Sequence, residues 1–259
     1  MKFYKYQGTG NDFILIDDRM LSFQFSQEAI ELFCHRRFGI GADGLILLQN
    51  QEGYDFRMIY FNADGREGSM CGNGGRCIVR FAHDLGIFDS HTTFMAIDGA
   101  HEAFVDQEEI SLKMTDTEAM LMKDGFHYYN TGSPHVVSYV DNLDDFDVLL
   151  HGKNIRFNDF WTSHKGTNVN FVEVLDENSI KVRTYERGVE DETYSCGTGV
   201  TACALDMAVS KGSTSPINIL TKGGELNVFF EKKSDGNFGN IYLKGPAKRV
   251  FIGDLVPEL

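Results

Sequence analysis

The sequence predicts a mixed, strand-rich α/β (α+β) chain of two homologous halves, each carrying one cysteine at the start of one helix. Three observations predict it. The motif Cys71-Gly72-Asn73-Gly74 returns 125 residues later as Cys196-Gly197-Thr198-Gly199, and each copy precedes an apolar run at helical spacing. The match extends upstream, where Tyr60 and Tyr185 each stand 11 residues before their cysteine, and Ser69-Met70 and Tyr194-Ser195 lead into the motif. Short strand-like runs bounded by Gly, Asn and Asp surround both helices. Two equivalent thiols facing each other across a cleft are what a two-base inversion of a carbon centre needs. The repeat therefore points to an enzyme that inverts a stereocentre.

The elements follow in chain order. Segments 3–6 and 13–17 read as short strands. Ser26 caps a helix predicted over 27–38, with Glu28 in its first turn. Strands follow at 45–49 and 56–61, the latter running into the turn Asn62-Ala63-Asp64-Gly65. The helix predicted over 72–85 carries a stripe of Ile78, Val79, Phe81, Ala82 and Leu85. Strands near 102–105 and 110–114 close the first half. The second half repeats the plan, with strands near 134–140, 168–174 and 180–185. Its helix over 197–210 has Val200, Cys203, Ala204 and Met207 inside, and strands near 217–220, 225–230 and 241–244 follow. A weaker echo pairs Gly8-Thr9-Gly10-Asn11-Asp12-Phe13 with Gly166-Thr167-Asn168-Val169-Asn170-Phe171. The polar stretch 115–124 is the expected boundary.

The 259 residues are enough for two domains of ordinary size, and 42% hydrophobic and 24% charged residues are usual for a globular protein. The net charge of −14 argues against nucleic acid or an anionic membrane as partner. No run approaches the ~18 apolar residues of a membrane span, and the N-terminus lacks the apolar region of a signal peptide. Five cysteines, at 34, 71, 77, 196 and 203, fit free thiols in a reducing cytoplasm. Their spacing lacks the short clip of a structural zinc site, so no metal is expected.

A cysteine at a helix N-terminus meets free backbone N–H groups and a dipole equivalent to roughly half a charge. This lowers the thiol pKa from about 8.5 toward neutrality, so the group serves as base when ionised and acid when not. The glycines allow close backbone approach, and the N–H groups of Gly72, Asn73, Gly197 and Thr198 can cradle a carboxylate. Removing a proton beside a carboxylate requires stabilising the charge that grows on its oxygens, and two helix N-termini supply that. The scheme uses no pyridoxal phosphate and no other cofactor. Cys77 and Cys203 lie within apolar helix faces and read, with Cys34, as core residues.

On Gly8-Thr9-Gly10-Asn11-Asp12-Phe13, Gly39-Ile40-Gly41-Ala42-Asp43-Gly44, Phe61-Asn62-Ala63-Asp64-Gly65, the two Cys-Gly-x-Gly motifs, Gly132-Ser133-Pro134-His135, Asn168 and Tyr185-Glu186-Arg187-Gly188, the chain resembles the diaminopimelate epimerases over essentially its whole length. The resemblance implies two pseudo-symmetric α/β domains, each a strand barrel around a central helix, with the active site in the cleft between them. It implies domains of 1–115, joined by 247–259, and 116–246. The implied reaction is cofactor-independent epimerisation of LL-2,6-diaminopimelate to the meso form, in lysine and peptidoglycan precursor synthesis. Cys71 and Cys196 match the catalytic thiols, and His135 and Glu186 match residues that assist proton transfer. Asn11, Gly44, Asn62, Gly72, Asn73, Ser133, Asn168, Arg187, Gly197 and Thr198 match substrate contacts.

The sequence departs from the family pattern at two of these positions. Glycine replaces a common glutamine at Gly44 and offers only backbone. Serine replaces a common asparagine at Ser133 and has shorter reach. The expected partner is a small-molecule amino-acid substrate, with no nucleic acid and no membrane; a homodimer is the assembly to test. Rival readings are a proline racemase or hydroxyproline epimerase, an isomerase-like relative of phenazine biosynthesis, and a thiol redox module. Asn62, Asn168, Glu186 and Arg187 favour a long, doubly zwitterionic substrate. The cysteine pair counts against the phenazine relative, and the lack of a Cys-x-x-Cys motif counts against the redox module.

Overall fold

The structure, a computed structural model, describes residues 1–68 and 70–255. Ser69 of the first motif copy and the end of the predicted 247–259 return lie outside the described residues. The chain divides into two compact units, Met1–Leu112 with Gly245–Leu259, and Lys113–Lys244.

In the first unit, β1 (Lys2–Gly8) and β2 (Asn11–Asp17) form an antiparallel hairpin. Its two-residue turn puts Thr9 and Gly10 at positive φ, 49° and 85°, as such tight hairpins require. After α1 (Gln27–Cys34), β3 (Gly44–Gln49) lies parallel to β2, and β4 (Phe56–Asn62) pairs antiparallel with β3. α2 (Gly72–Asp84) then leads to β5 (His91–Ala96), parallel to β4, and the meander β6 (Gly99–Asp106) and β7 (Glu109–Lys113). The returning segment Lys248–Asp254 pairs with β1 on its open side. The sheet wraps around α2, which packs against β1 to β4, β6 and that last segment. Every residue from Gly72 to Val79 is buried, so α2 is a core helix with no solvent face in its first two turns.

α1 stops at Cys34, four residues short of the expected end. Ser26 caps it as predicted, accepting from Ala29 N at 3.3 Å. At its other end His35 turns out of the helix, and its Nδ1 accepts the N–H groups of Arg37 and Phe38. Gly39 then passes against the Leu32 carbonyl, where no side chain fits.

The second unit repeats the order. β8 (Leu121–Lys123) and β9 (Phe126–Asn130) precede β10 (Pro134–Tyr139), and α3 (Val148–Arg156) with α4 (Asp159–Ser163) leads to β11 (Asn168–Asp176), parallel to β10. β12 (Ser179–Glu186) pairs antiparallel with β11 and carries the short β13 (Asp191–Thr193). α5 (Gly197–Ser210) leads to β14 (Ile217–Thr221), parallel to β12, then β15 (Gly224–Lys232) and β16 (Phe238–Pro246). The last segment, Lys248–Asp254, is β17. α5 packs against β9 to β12, β14 and β15. It is buried on all sides from Val200 to Ala208.

The two helices give the register of the repeat. Gly74 packs on Phe13 and Ile46, and Gly199 packs on His135 and Asn170. Phe13 therefore corresponds to His135, and Ile46 to Asn170. Ile46 pairs with Tyr60, and Asn170 with Thr184. The upstream match of Tyr60 with Tyr185 is thus one residue out of register. One extra residue separates strand and cysteine in the second unit, 12 from Thr184 to Cys196 against 11 from Tyr60 to Cys71. β13 folds back on β12 within that stretch. The echo of residues 8–13 is likewise misplaced. Their counterpart is the hairpin at 130–135, because both turns join an antiparallel pair before the first parallel crossover.

Candidate active site

Both motif cysteines are helix N-caps in the same extended conformation, Cys71 at φ −106°, ψ 128° and Cys196 at φ −119°, ψ 111°. Neither sulfur caps its own helix. The first helical bonds run from Gly75 N to Cys71 O at 2.7 Å and from Val200 N to Cys196 O at 2.9 Å. The N–H groups of residues 72–74 and 197–199 accordingly precede the first helical bonds, and they lie at the positive end of each helix. Burial pushes the Cys34 and Cys77 thiols up to about 12 and Cys203 well above its ordinary value. All five are free thiols.

The register pairs most of the sequence-derived site positions across the repeat. Gly44 lies opposite Asn62 and beside Phe13; Asn168 lies beside His135 and opposite Glu186, one step on from the Val169–Tyr185 pair. Asn11 and Ser133, Gly44 and Asn168, Asn62 and Glu186, and Asn73 and Thr198 thus occupy equivalent places. His135 and Arg187 stand outside this set.

In the first unit the Asn11 amide nitrogen donates to Asp43. That turns its Oδ1 toward Cys71 Sγ, at 3.7 Å, and Asn73 Nδ2, at 3.4 Å. Gly44 is buried. A Cβ there would meet the Tyr60 ring and the Phe61 carbonyl at 2.5 Å, so Tyr60 fills the space a longer residue would need. Asn62 is exposed at the end of β4. Arg76, which the sequence reading passed over, is wholly buried and donates to Asn73 Oδ1 at 2.9 Å and Thr9 Oγ1 at 3.0 Å. Among the described residues no carboxylate lies within ion-pair distance of it. Burial pulls its pKa below the usual arginine value, opposed by the Cys77 and Cys71 sulfurs.

In the second unit His135 is wholly buried, with Nε2 2.8 Å from Thr198 Oγ1 and 2.9 Å from Ser133 Oγ. Thr198 Oγ1 is in turn 3.5 Å from Cys196 Sγ. Asn168 ties the corner together, donating to Pro134 O and Ser133 Oγ and accepting from Arg187 N at 2.9 Å. Glu186 accepts from Thr193 Oγ1 at 2.9 Å. Arg187 donates to Lys165 O, while Arg156 and Arg183 are engaged by Glu190 and Glu192. Among the described residues no carboxylate pairs with Arg187. Among the described residues no group of three or more His, Cys, Asp or Glu is arranged to hold a metal ion.

Burial pulls His135 down to about 3, with the Arg187 charge acting the same way and the Asn170 hydrogen bond opposing. The unfolded ring titrates near ~6.5. Between those values the unfolded chain binds the proton and the folded one does not, so stability is lost as pH falls through that window. His135→Gln removes this contribution. Urea titrations at pH 7 and pH 4.5 should show a smaller stability drop for the variant than for the parent; an equal or larger drop would contradict a neutral buried ring.

A family profile described as diaminopimelate epimerase matches residues 3–120 and 127–250. The chain belongs to the diaminopimelate epimerase family. A diaminopimelate epimerase of Flavobacterium psychrophilum is 51% identical over 254 residues, covering 97% of this chain and 98% of the relative. Those of Chlorobaculum tepidum and Aquifex aeolicus are 46% and 39% identical, over 96% and 100% of this chain and 98% and 99% of their own. Solved structures share the fold at low identity. A PhzF-family phenazine biosynthesis protein of Bacillus anthracis superposes with a TM-score of 0.76 at 16% identity, covering 99% of both chains. A hydroxyproline epimerase of Agrobacterium vitis gives 0.65 at 14%, covering 98% of this chain and 91% of its own. Membership of the diaminopimelate epimerase family makes this chain an isomerase. No helix among the described residues is long and apolar enough to cross a membrane.

Proposed function

We propose that the protein epimerises LL-2,6-diaminopimelate to the meso form by thiolate–thiol chemistry, without pyridoxal phosphate or metal. The observation that carries the reading is the pair of N-cap cysteines, alike in backbone conformation and each leading a buried helix. The relatives named diaminopimelate epimerase support the substrate. In the proposed reaction one sulfur takes the α-proton as a thiolate. The charge that grows on the substrate carboxylate is met by the N–H groups at residues 72–73 and 197–198. The other sulfur, as a thiol, returns a proton to the opposite face. The chemistry requires both sulfurs to reach one carbon, so each unit, read as one domain, supplies one thiol. Asn11, Asn62, Asn168 and Arg187 are proposed to hold the distal amino-acid group, with His135 and Glu186 assisting at the thiols. The setting is the cytoplasmic synthesis of lysine and peptidoglycan precursors, with a homodimer as the assembly to test.

Incubation of the purified protein with LL- or meso-diaminopimelate in deuterated water, after EDTA dialysis and without added cofactor, should incorporate deuterium at the α-carbon and interconvert the epimers. Loss of activity restored only by metal, or equal turnover of free proline, would overturn the reading.

Arg187→Lys tests the distal contact. A planar fork that binds a carboxylate through two parallel bonds is not replaced by a point charge. KM should rise about tenfold or more, equivalent to losing one charge-assisted hydrogen bond, with kcat changed less. An unchanged KM would show that Arg187 does not touch substrate.

A further inference from the structure

We propose that Asn170 is a positioning residue: it fixes His135 as the Nε2–H tautomer, so that the ring donates to the Thr198 hydroxyl and that hydroxyl donates to the Cys196 sulfur. This rests on the reading of Cys196 as a reacting thiol.

The direction of the chain follows from groups that can play only one part. The Asn170 amide nitrogen lies 2.9 Å from the Val136 carbonyl oxygen, which only accepts. Its Oδ1 accepts the Thr184 hydroxyl at 2.9 Å. Flipping the amide would set oxygen against oxygen at Val136, so the orientation is determined. The second amide hydrogen then faces His135 Nδ1 at 3.1 Å. That nitrogen must be bare, and a neutral imidazole carries its hydrogen on the other one. Nε2–H is thus a donor, 2.8 Å from Thr198 Oγ1 and 2.9 Å from Ser133 Oγ. A threonine hydroxyl that accepts from the ring keeps its own hydrogen to give; Ser133 Oγ, 3.2 Å away, accepts the Asn168 amide and can itself donate to Thr198, and Cys196 Sγ lies within sulfur range at 3.5 Å. Thr198 is held in place by Thr131, whose hydroxyl donates to the Thr198 carbonyl at 2.8 Å. The charged group acting on the ring is Arg187, and it favours the neutral form.

The first unit shows that the fold does not demand this polarity. At the places of His135, Asn170 and Thr184 it carries Phe13, Ile46 and Tyr60. Packing around the glycine of the cysteine helix is met there by apolar groups. The second unit instead buries an imidazole, a carboxamide and a hydroxyl, each of which must be hydrogen-bonded to be tolerated. A donor aimed at a sulfur favours the thiolate over the thiol, and this one is aimed at Cys196.

Two measurements test the proposal, and neither uses an amino-acid substrate, so they fail or succeed independently of the epimerase reading. In the whole chain labelled with 15N-histidine, the His135 ring, assigned by its loss in His135→Gln, should show a bare Nδ1 and a protonated Nε2 from pH 8 to pH 5. The opposite tautomer, or an imidazolium in that range, overturns the proposal without any engineered relay residue having to fold. The second measurement is the pH dependence of iodoacetamide alkylation, followed separately on the Cys196 and Cys71 peptides. Thr198→Val should raise the Cys196 midpoint by about one pH unit and leave Cys71 in place, Thr198→Ser should restore it, and Asn170→Asp, which turns the ring over to the Nδ1–H form, should raise it as well. An unmoved Cys196 midpoint, or equal shifts at both cysteines, overturns it.

Discussion

With Cys71 or Cys196 replaced by alanine, epimerisation is expected to fall at least about 100-fold, the loss of one well-placed general acid or base. Each direction needs a base on one face and an acid on the other, so neither single variant retains a working pair. Cys77→Ala and Cys203→Ala provide the contrast. Both side chains are wholly buried on the same two helices, so their loss should cost about 1–3 kcal/mol of stability and leave turnover per folded molecule nearly intact. Chiral analysis of diaminopimelate after long incubation reads the first pair, and chemical unfolding the second. A Cys71→Ala or Cys196→Ala variant with more than a few per cent of the parent rate would refute the two-base scheme.

The second large effect is expected at Asp206, on stability rather than chemistry. This carboxylate on α5 is wholly buried and accepts from His127 Nδ1 at 2.8 Å, Tyr129 Oη at 3.0 Å, Tyr139 Oη at 2.7 Å and Ser210 Oγ at 3.1 Å. Burial, reinforced by the carboxylate, pushes both tyrosine hydroxyls above their usual range, so they remain donors. The three ring donors come from β9 and the end of β10, and Asp206 thereby ties the Cys196 helix to the strands that precede it. Asp206→Ala leaves the Tyr129 and Tyr139 hydroxyls without their acceptor, and each orphaned buried group costs about 1–3 kcal/mol. The total should reach about 3 kcal/mol or more, lowering Tm by on the order of 10 °C. A melting point within two degrees of the parent would contradict this account, whereas Asp206→Asn, which keeps an acceptor oxygen, should fall between.

What the sequence revealed follows from what repeats in it. Cys-Gly-x-Gly fixed both helix starts to the residue, because an N-cap followed by glycines is a local signal and the apolar run behind it is long. Several elements were not legible: β5, β8, β9, β13 and β17 went unpredicted, as did α3 and α4. In β17 five consecutive residues are exposed, so no alternation marks it as a strand; its pairing comes from β1, far away in the chain. α3 packs on β11 and β12 and α4 packs on α3, within a stretch crowded with acidic and aromatic residues. The one-residue slip at Tyr185 came from assuming a constant offset across an insertion that only the strand ladder reveals. Arg76, Asn170 and Thr184 left a faint trace, polar residues inside otherwise apolar runs, but nothing local says which polar residue faces inward to a partner and which to water.

The pairing of β1 with β17 has a consequence for how the protein is made. Lys2 sits opposite Asp254, and Leu255 N donates to Met1 O at 2.7 Å. At translation speeds of about 5–20 residues per second, the first of these strands waits roughly 10–50 s for its neighbour. The second unit, 113–244, is continuous in the chain and has all its strands in hand before that neighbour is synthesised. The order of birth and the order of completion are therefore reversed: the half that emerges first is the half that finishes last. Until then the flank of β1 that β17 later covers offers unpaired backbone groups to any other strand nearby.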